Sequence, residues 1–75
     1  MIDELKLVAL VEDLPQFNLK KGDLGTIVFV HEGGAAYEVE FTTLEGATIA
    51  VITVQAHQIR QIGPSEIAQS RVMTV

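Results

Sequence analysis

The sequence predicts an all-β domain: a small barrel of about five antiparallel strands, with a 3-10 turn before the last. Three observations carry this reading. Segments rich in β-branched and aromatic residues recur at short spacing, and one of them, Tyr37-Glu38-Val39-Glu40-Phe41-Thr42, alternates cleanly. Glycine-bearing connections, Glu32-Gly33-Gly34-Ala35 and Leu44-Glu45-Gly46-Ala47, separate three of these segments, with glycine supplying the positive φ that hairpins need. Gln55-Ala56-His57-Gln58 is too short for a helix and the right length for one 3-10 turn.

The first strand is expected within Leu5-Lys6-Leu7-Val8-Ala9-Leu10-Val11. Its length and β-branched content favour a strand, although leucine and alanine tolerate helix. Leu5, Leu7, Ala9 and Val11 share one face and Val8 and Leu10 the other, so both faces should be covered. Glu12 to Lys21 then forms a long loop. Pro15 lacks an amide hydrogen and turns Leu14 away from helix, while Phe17 and Leu19 should anchor the loop on the core. The run Lys20-Lys21-Gly22-Asp23-Leu24-Gly25-Thr26 is a sharp structural turn that launches the second strand. Gly22 and Gly25 permit positive φ there, and Asp23 can hydrogen-bond the local backbone.

Thr26–His31, Tyr37–Thr42 and Thr48–Val54 follow as an antiparallel meander. Ile59-Arg60-Gln61-Ile62 is a short last strand stopped by Gly63-Pro64. The barrel therefore covers residues 1–63. Residues 64–75 are left as a C-terminal tail, or as a short helix capped by Ser65.

Register decides which apolar row faces inward. With two-residue turns in both hairpins, Val28 pairs with Val39, Val30 with Tyr37, Phe41 with Ala50, Val39 with Ile52 and Tyr37 with Val54. The inner row is then Val28, Val30, Tyr37, Val39, Phe41, Ala50, Ile52 and Val54. Ile27, Phe29, Ile49 and Val51 lie on the outer row beside Glu38 and Glu40. Three-residue loops would exchange the rows. Either way one apolar row is left over, and such patches often mark interaction sites. The two-residue registers are preferred, which makes Ile27, Phe29, Ile49 and Val51 the candidate partner-binding residues.

Composition narrows the chemistry. The 75 residues are 48% hydrophobic and contain no cysteine, so neither a disulfide nor a thiolate zinc site exists. Mean hydropathy is +0.33, too high for disorder. So small a domain must draw its stability from apolar burial or self-association. The net charge is −5, and the basic residues Lys6, Lys20, Lys21, Arg60 and Arg71 are scattered, which disfavours nucleic acid as a partner. The acidic start Met1-Ile2-Asp3-Glu4 lacks the positive region of a signal peptide, and the apolar runs are too short to span a bilayer. A cytoplasmic chain without membrane contact is expected.

No catalytic, cofactor or metal pattern stands out. His31 and His57 lie on different elements without ligand spacing. Glu38 and Glu40 have the spacing of a solvated strand face, and Asp13 suits the turn before Pro15. Gly22-Asp23-Leu24-Gly25 lacks the spacing of a phosphate loop, and no helix follows it.

Lys21-Gly22-Asp23-Leu24-Gly25-Thr26-Ile27-Val28 resembles the "K-G-D-x-G-T-V-V" signature of SH3-like small barrels. It is also similar to the glycine-containing turn and strand of KOW modules and of the barrel in the nitrile hydratase β subunit. Residues about 5 to 62 resemble a family of short bacterial proteins known only as a domain of unknown function. Val11-Glu12-Asp13-Leu14-Pro15, Leu19-Lys20-Lys21-Gly22-Asp23, Ala36-Tyr37-Glu38-Val39-Glu40-Phe41 and Ile49-Ala50-Val51 carry that resemblance. It implies a fold and no activity. The functional expectation is a non-enzymatic protein-interaction module that uses no cofactor. It binds a protein partner or itself through the apolar strand face. Size, acidity and simple architecture suit the neutralising, antitoxin- or immunity-like member of a bacterial pair. The alternatives are a KOW-like nucleic-acid binder using Lys20, Lys21 and Arg60, or an accessory subunit of a larger enzyme.

Overall fold

A computed structural model describes residues 1–73. Five strands, β1 (Leu7–Leu10), β2 (Leu24–His31), β3 (Ala36–Thr42), β4 (Thr48–Gln55) and β5 (Ile59–Gln61), form one open sheet. Its order is β4-β3-β2-β1-β5, and every neighbouring pair is antiparallel. The expected meander is β2-β3-β4. The 3-10 turn spans Ala56–Gln58 and swings the chain from β4 to the opposite edge. Gln58 holds this turn, its Oε1 accepting the Gln55 amide at 2.8 Å. Around it the Val11 amide donates to the Gln58 carbonyl, and the Ile62 amide donates to the Leu7 carbonyl, which fixes β5 beside β1.

The core gathers on one face of the sheet. Tyr37, Val39 and Phe41 point inward from β3, as their alternation with Glu38 and Glu40 requires, and meet Ile52 and Val54 of β4. Val8 and Leu10 of β1, Ile27 of β2 and Ile59 of β5 complete the layer. Tyr37 keeps its hydroxyl satisfied by accepting the Ile2 amide at 3.0 Å, so the N-terminal residues lie against the core.

Leu19 anchors the long loop as expected, but its partner is Leu14 rather than Phe17. Leu14 and Leu19 are buried and bridge each other across a short 3-10 turn at Pro15–Phe17, whereas Phe17 is 40% exposed. The turn reverses the chain within five residues, so the two leucines at its base meet and the phenylalanine at its tip faces out. β1 is shorter than expected, and it is covered on both faces over Val8–Leu10 but not at its start: Leu5 lies outside it, with φ +68, and Leu7 is exposed.

The two glycines of the Lys20–Thr26 turn do different work. Gly22 has φ +92, the conformation a glycine turn requires. Gly25 instead lies within β2 and does not use positive φ. A Cβ there would fall 2.5 Å from Val39 Cγ1, 2.9 Å from Phe41 Cε1 and 3.1 Å from the Glu40 carbonyl. Gly25 is needed because β3 packs too close for any side chain.

Registers across β3 and β4 follow the expected pairs: Phe41 with Ala50, Val39 with Ile52, Tyr37 with Val54. Val30 pairs with Tyr37 as well, but Val28 does not pair with Val39. A β-bulge between Ile27 and Phe29 inserts Val28 as an extra residue, and Ile27 takes the place opposite Val39. Residues 64–73 contain no helix. The remaining tail residues, 74 and 75, lie outside the described residues.

Candidate functional site

The bulge in β2 sorts the four candidate partner-binding residues. Before it, Ile27 points into the core and is fully buried, so it contributes nothing to the outer surface. After it, Phe29 pairs with Glu38 and is half-exposed on the outer face, its ring 4.8 Å edge-on from that of His31. Ile49 is partly buried against the core, near a second register shift between Phe41 and Thr42. Val51 is 52% exposed on the outer face of β4.

The outer face is not one apolar row. Glu38 and Glu40 run through it as a hydrogen-bonded ridge. Glu38 lies 2.7 Å from His31 Nε2 and accepts the Thr53 hydroxyl at 2.9 Å, while Glu40 accepts the Thr48 hydroxyl at 3.0 Å. The His31 hydrogen bond, followed by that of Thr53, holds the Glu38 carboxyl below its ordinary pKa. This ridge separates Val51 on β4 from Val28 and Phe29 on β2 and Leu7 on β1. What unites the exposed part of β4 is its edge rather than a broad apolar patch.

The two edges of the sheet differ sharply. β5 is three residues long and carries Arg60. β4 is eight residues long, Thr-Ile-Ala-Val-Ile-Thr-Val-Gln, with no charge, proline or glycine, and it pairs only with β3. Long uncharged edges present free backbone donors and acceptors to any extended chain, and proteins usually blunt them with charge, proline or brevity. β5 is blunted in this way and β4 is not. Thr53 and Thr48 turn their hydroxyls inward to the β3 glutamates, so neither side chain reaches across the edge.

A second site lies at one end of the sheet, around the Lys20–Thr26 turn. Asp23 is held by that turn: its amide donates to the Lys20 carbonyl and its Oδ2 accepts the Lys20 amide at 2.8 Å. The Gly22 amide in turn donates to the Leu10 carbonyl. Arg71 of the tail reaches this carboxylate in a forked arrangement, with Nε on Oδ1 at 2.7 Å and Nη2 on Oδ2 at 2.6 Å. Nη2 also donates to the Asn18 carbonyl at 3.1 Å. Partial burial raises the Asp23 pKa, but the hydrogen bonds from Arg71 and the Lys20 amide outweigh it and leave the carboxyl below its ordinary value. Beside the pair lies a groove of about 420 Å³ between Leu24, Phe41 and Ile49 of the sheet, Leu44 of the β3–β4 connection, and Gln69 and Met73 of the tail.

The remaining polar residues are dispersed. Among the described residues no three histidine, aspartate or glutamate groups converge as a metal site would require. Lys20 and Lys21 flank the acidic turn, where the Lys21 amide donates to Asp13, and Arg60 pairs with Glu66. No helix among the described residues is long and apolar enough to cross a membrane.

Residues 4–61 match the family described as a domain of unknown function (DUF4926), and the chain belongs to that family. No curated protein and no solved structure matches it.

Proposed function

We propose that this family member is a non-enzymatic protein-interaction module that receives an extended segment of a protein partner along the open edge of β4. The observation carrying this reading is the eight-residue, uncharged, proline-free edge left with one neighbour, while the other edge is short and charged. Strand addition uses backbone hydrogen bonds for affinity and side chains on alternate positions for selectivity. Val51, and beyond the glutamate ridge Phe29, supply the exposed apolar contacts. The net charge of −5 favours a basic partner. Those features suit the neutralising, antitoxin- or immunity-like half of a cytoplasmic bacterial pair, in keeping with the resemblance to small SH3-like barrels.

The test is recovery of the partner by the tagged full chain from its native source, with the mass of the purified complex measured by light scattering. Val51→Lys places a charge at the edge, and Leu7→Lys places one on β1, where the side chain is equally exposed. Both variants should melt within a few degrees of the parent, since neither residue is in the core. Val51→Lys should weaken the complex at least about tenfold, equivalent to about 1.4 kcal/mol, and Leu7→Lys should leave it intact. A partner held equally well by both variants would overturn the reading.

A further inference from the structure

We propose that the Asp23 turn and its adjoining groove form a receiving site for an arginine-bearing peptide, and that the chain's own C-terminal segment is a displaceable occupant of it. This site is separate from the β4 edge and does not depend on the reading of that edge.

The receptor is built without the tail. Asp23 is aimed by the Lys20–Asp23 turn, by the positive φ of Gly22 and by the Gly22 amide bonded to Leu10. Asn18 sits at φ +57, and its carbonyl points at the same guanidinium. Two carboxylate oxygens and one carbonyl therefore converge on one planar donor, the forked geometry that arginine satisfies and lysine does not. Asp13 adds a further negative charge that favours the guanidinium. The groove beside Asp23 offers Leu24, Leu44 and Ile49 to residues flanking the arginine, a place the tail's Met73 shares in this structure.

The tail, by contrast, is lightly held. Glu66 pins its start to Arg60 and to the Gly63 amide, and Arg71 pins its end to Asp23 and Asn18. Between these pins residues 67–70 form neither helix nor strand, and Ile67 and Val72 are 91% and 85% exposed. Of the segment's large apolar side chains Met73 alone is partly covered, at the groove, and the segment's polar anchor is Arg71. The receptor residues Asp23, Leu24, Phe41 and Ile49 all lie within the family-matched span 4–61, and Arg71 lies outside it. The site belongs to the family domain, and the occupant to the appended tail. Tethering gives the tail an effective concentration on the order of millimolar, so a competing peptide binds the parent weakly until the tail lets go.

The experiment uses the full chain and a blocked heptapeptide with the sequence of residues 67–73, followed by 15N amide shifts. Arg71→Gln should bind the peptide at least about tenfold more tightly than the parent, with shifts at Gly22–Leu24 and Phe41–Thr43. The same peptide with citrulline in place of arginine, neutral but of the same shape, should lose that binding, a readout that needs no further change to the protein. Asp23→Asn added to Arg71→Gln should lose it too. Equal affinity for the parent and Arg71→Gln, or retention of the citrulline peptide, would overturn the proposal. So would light scattering that shows the parent as a dimer whose mass falls to a monomer with Arg71→Gln, since the tail would then serve a second copy.

Discussion

At the scale of single residues, Asp23 is the group on which the tail turns. It faces Arg71 from the tail and Lys20 from its own turn, and Asp13 adds a further negative charge acting on the guanidinium. Its folded-state pKa lies below the ordinary 3.8. A depressed carboxylate contributes stability that is complete above the unfolded value and is lost as the pH falls through the folded one. The tail should therefore be closed throughout the neutral range and open only in acid below about pH 4. An NMR titration should show the Arg71 Nε–H signal collapsing with the Asp23 carboxyl, and Asp23→Asn should remove that step. A tail that opens near pH 6 instead would assign its closure to another group. Little of this is legible from sequence. Gly22 and Gly25 look like equivalent turn glycines, but only one uses positive φ, while the other makes room for Val39 and Phe41. Arg71 and Asp23 are 48 positions apart, and no periodicity joins them.

At the scale of elements, the decisive feature is the bulge in β2. β3 announces its faces because apolar and acidic residues alternate, and β4 pairs with it in the expected register, which the shift beside Phe41 restores after the 43–47 connection. Strand positions, the β2-β3-β4 meander and the outward placement of Val51 are readable for that reason, whereas Ile49, expected on the same outer row, packs against the core beside the register shift at Phe41 and Thr42. β2 is apolar at each of Ile27, Val28, Phe29 and Val30, so its own pattern permits either row inside. The choice is made by three-dimensional packing: the bulge puts Ile27 opposite Val39 and still returns Val30 to Tyr37. Urea denaturation checks this directly. Ile27→Ala, at a fully buried site, should cost about 2–5 kcal/mol. Phe29→Ala, despite removing the larger side chain, should cost only about 1 kcal/mol, because the ring is half-exposed on the outer face, edge-on to His31. An unbulged strand would reverse that order. Pairing order also explains why the open edge escapes a sequence reading: β4 is an edge only because β5 returns to β1 rather than continuing the meander.

At the scale of the whole molecule, the return of β5 divides the chain into what the fold needs and what it carries. β1 is four residues long and stands between two neighbours, β2 and β5. Ile59 of β5 is buried in the core, the Val11 amide depends on Gln58, and the Ile62 amide closes on Leu7. Nothing comparable ties residues 64–73 to the core, since their described hydrogen bonds run to Arg60, Gly63, Asn18 and Asp23 at the surface. A domain this small has few stabilising contacts to spare, so losing one short strand and one buried isoleucine exceeds what its marginal stability tolerates. Ending the chain after Gly63 should therefore leave the amide spectrum of the sheet intact and lower the melting temperature by only a few degrees, with shifts confined to the Asp23 turn and the groove. Ending it after Gln58 should abolish the dispersed spectrum altogether, because β1 then loses a full ladder and the core loses Ile59. If the shorter chain stayed folded, β5 would be an appendage rather than the element that completes the sheet. If the longer one unfolded, the Arg71 contact would be part of the fold rather than a latch laid upon it.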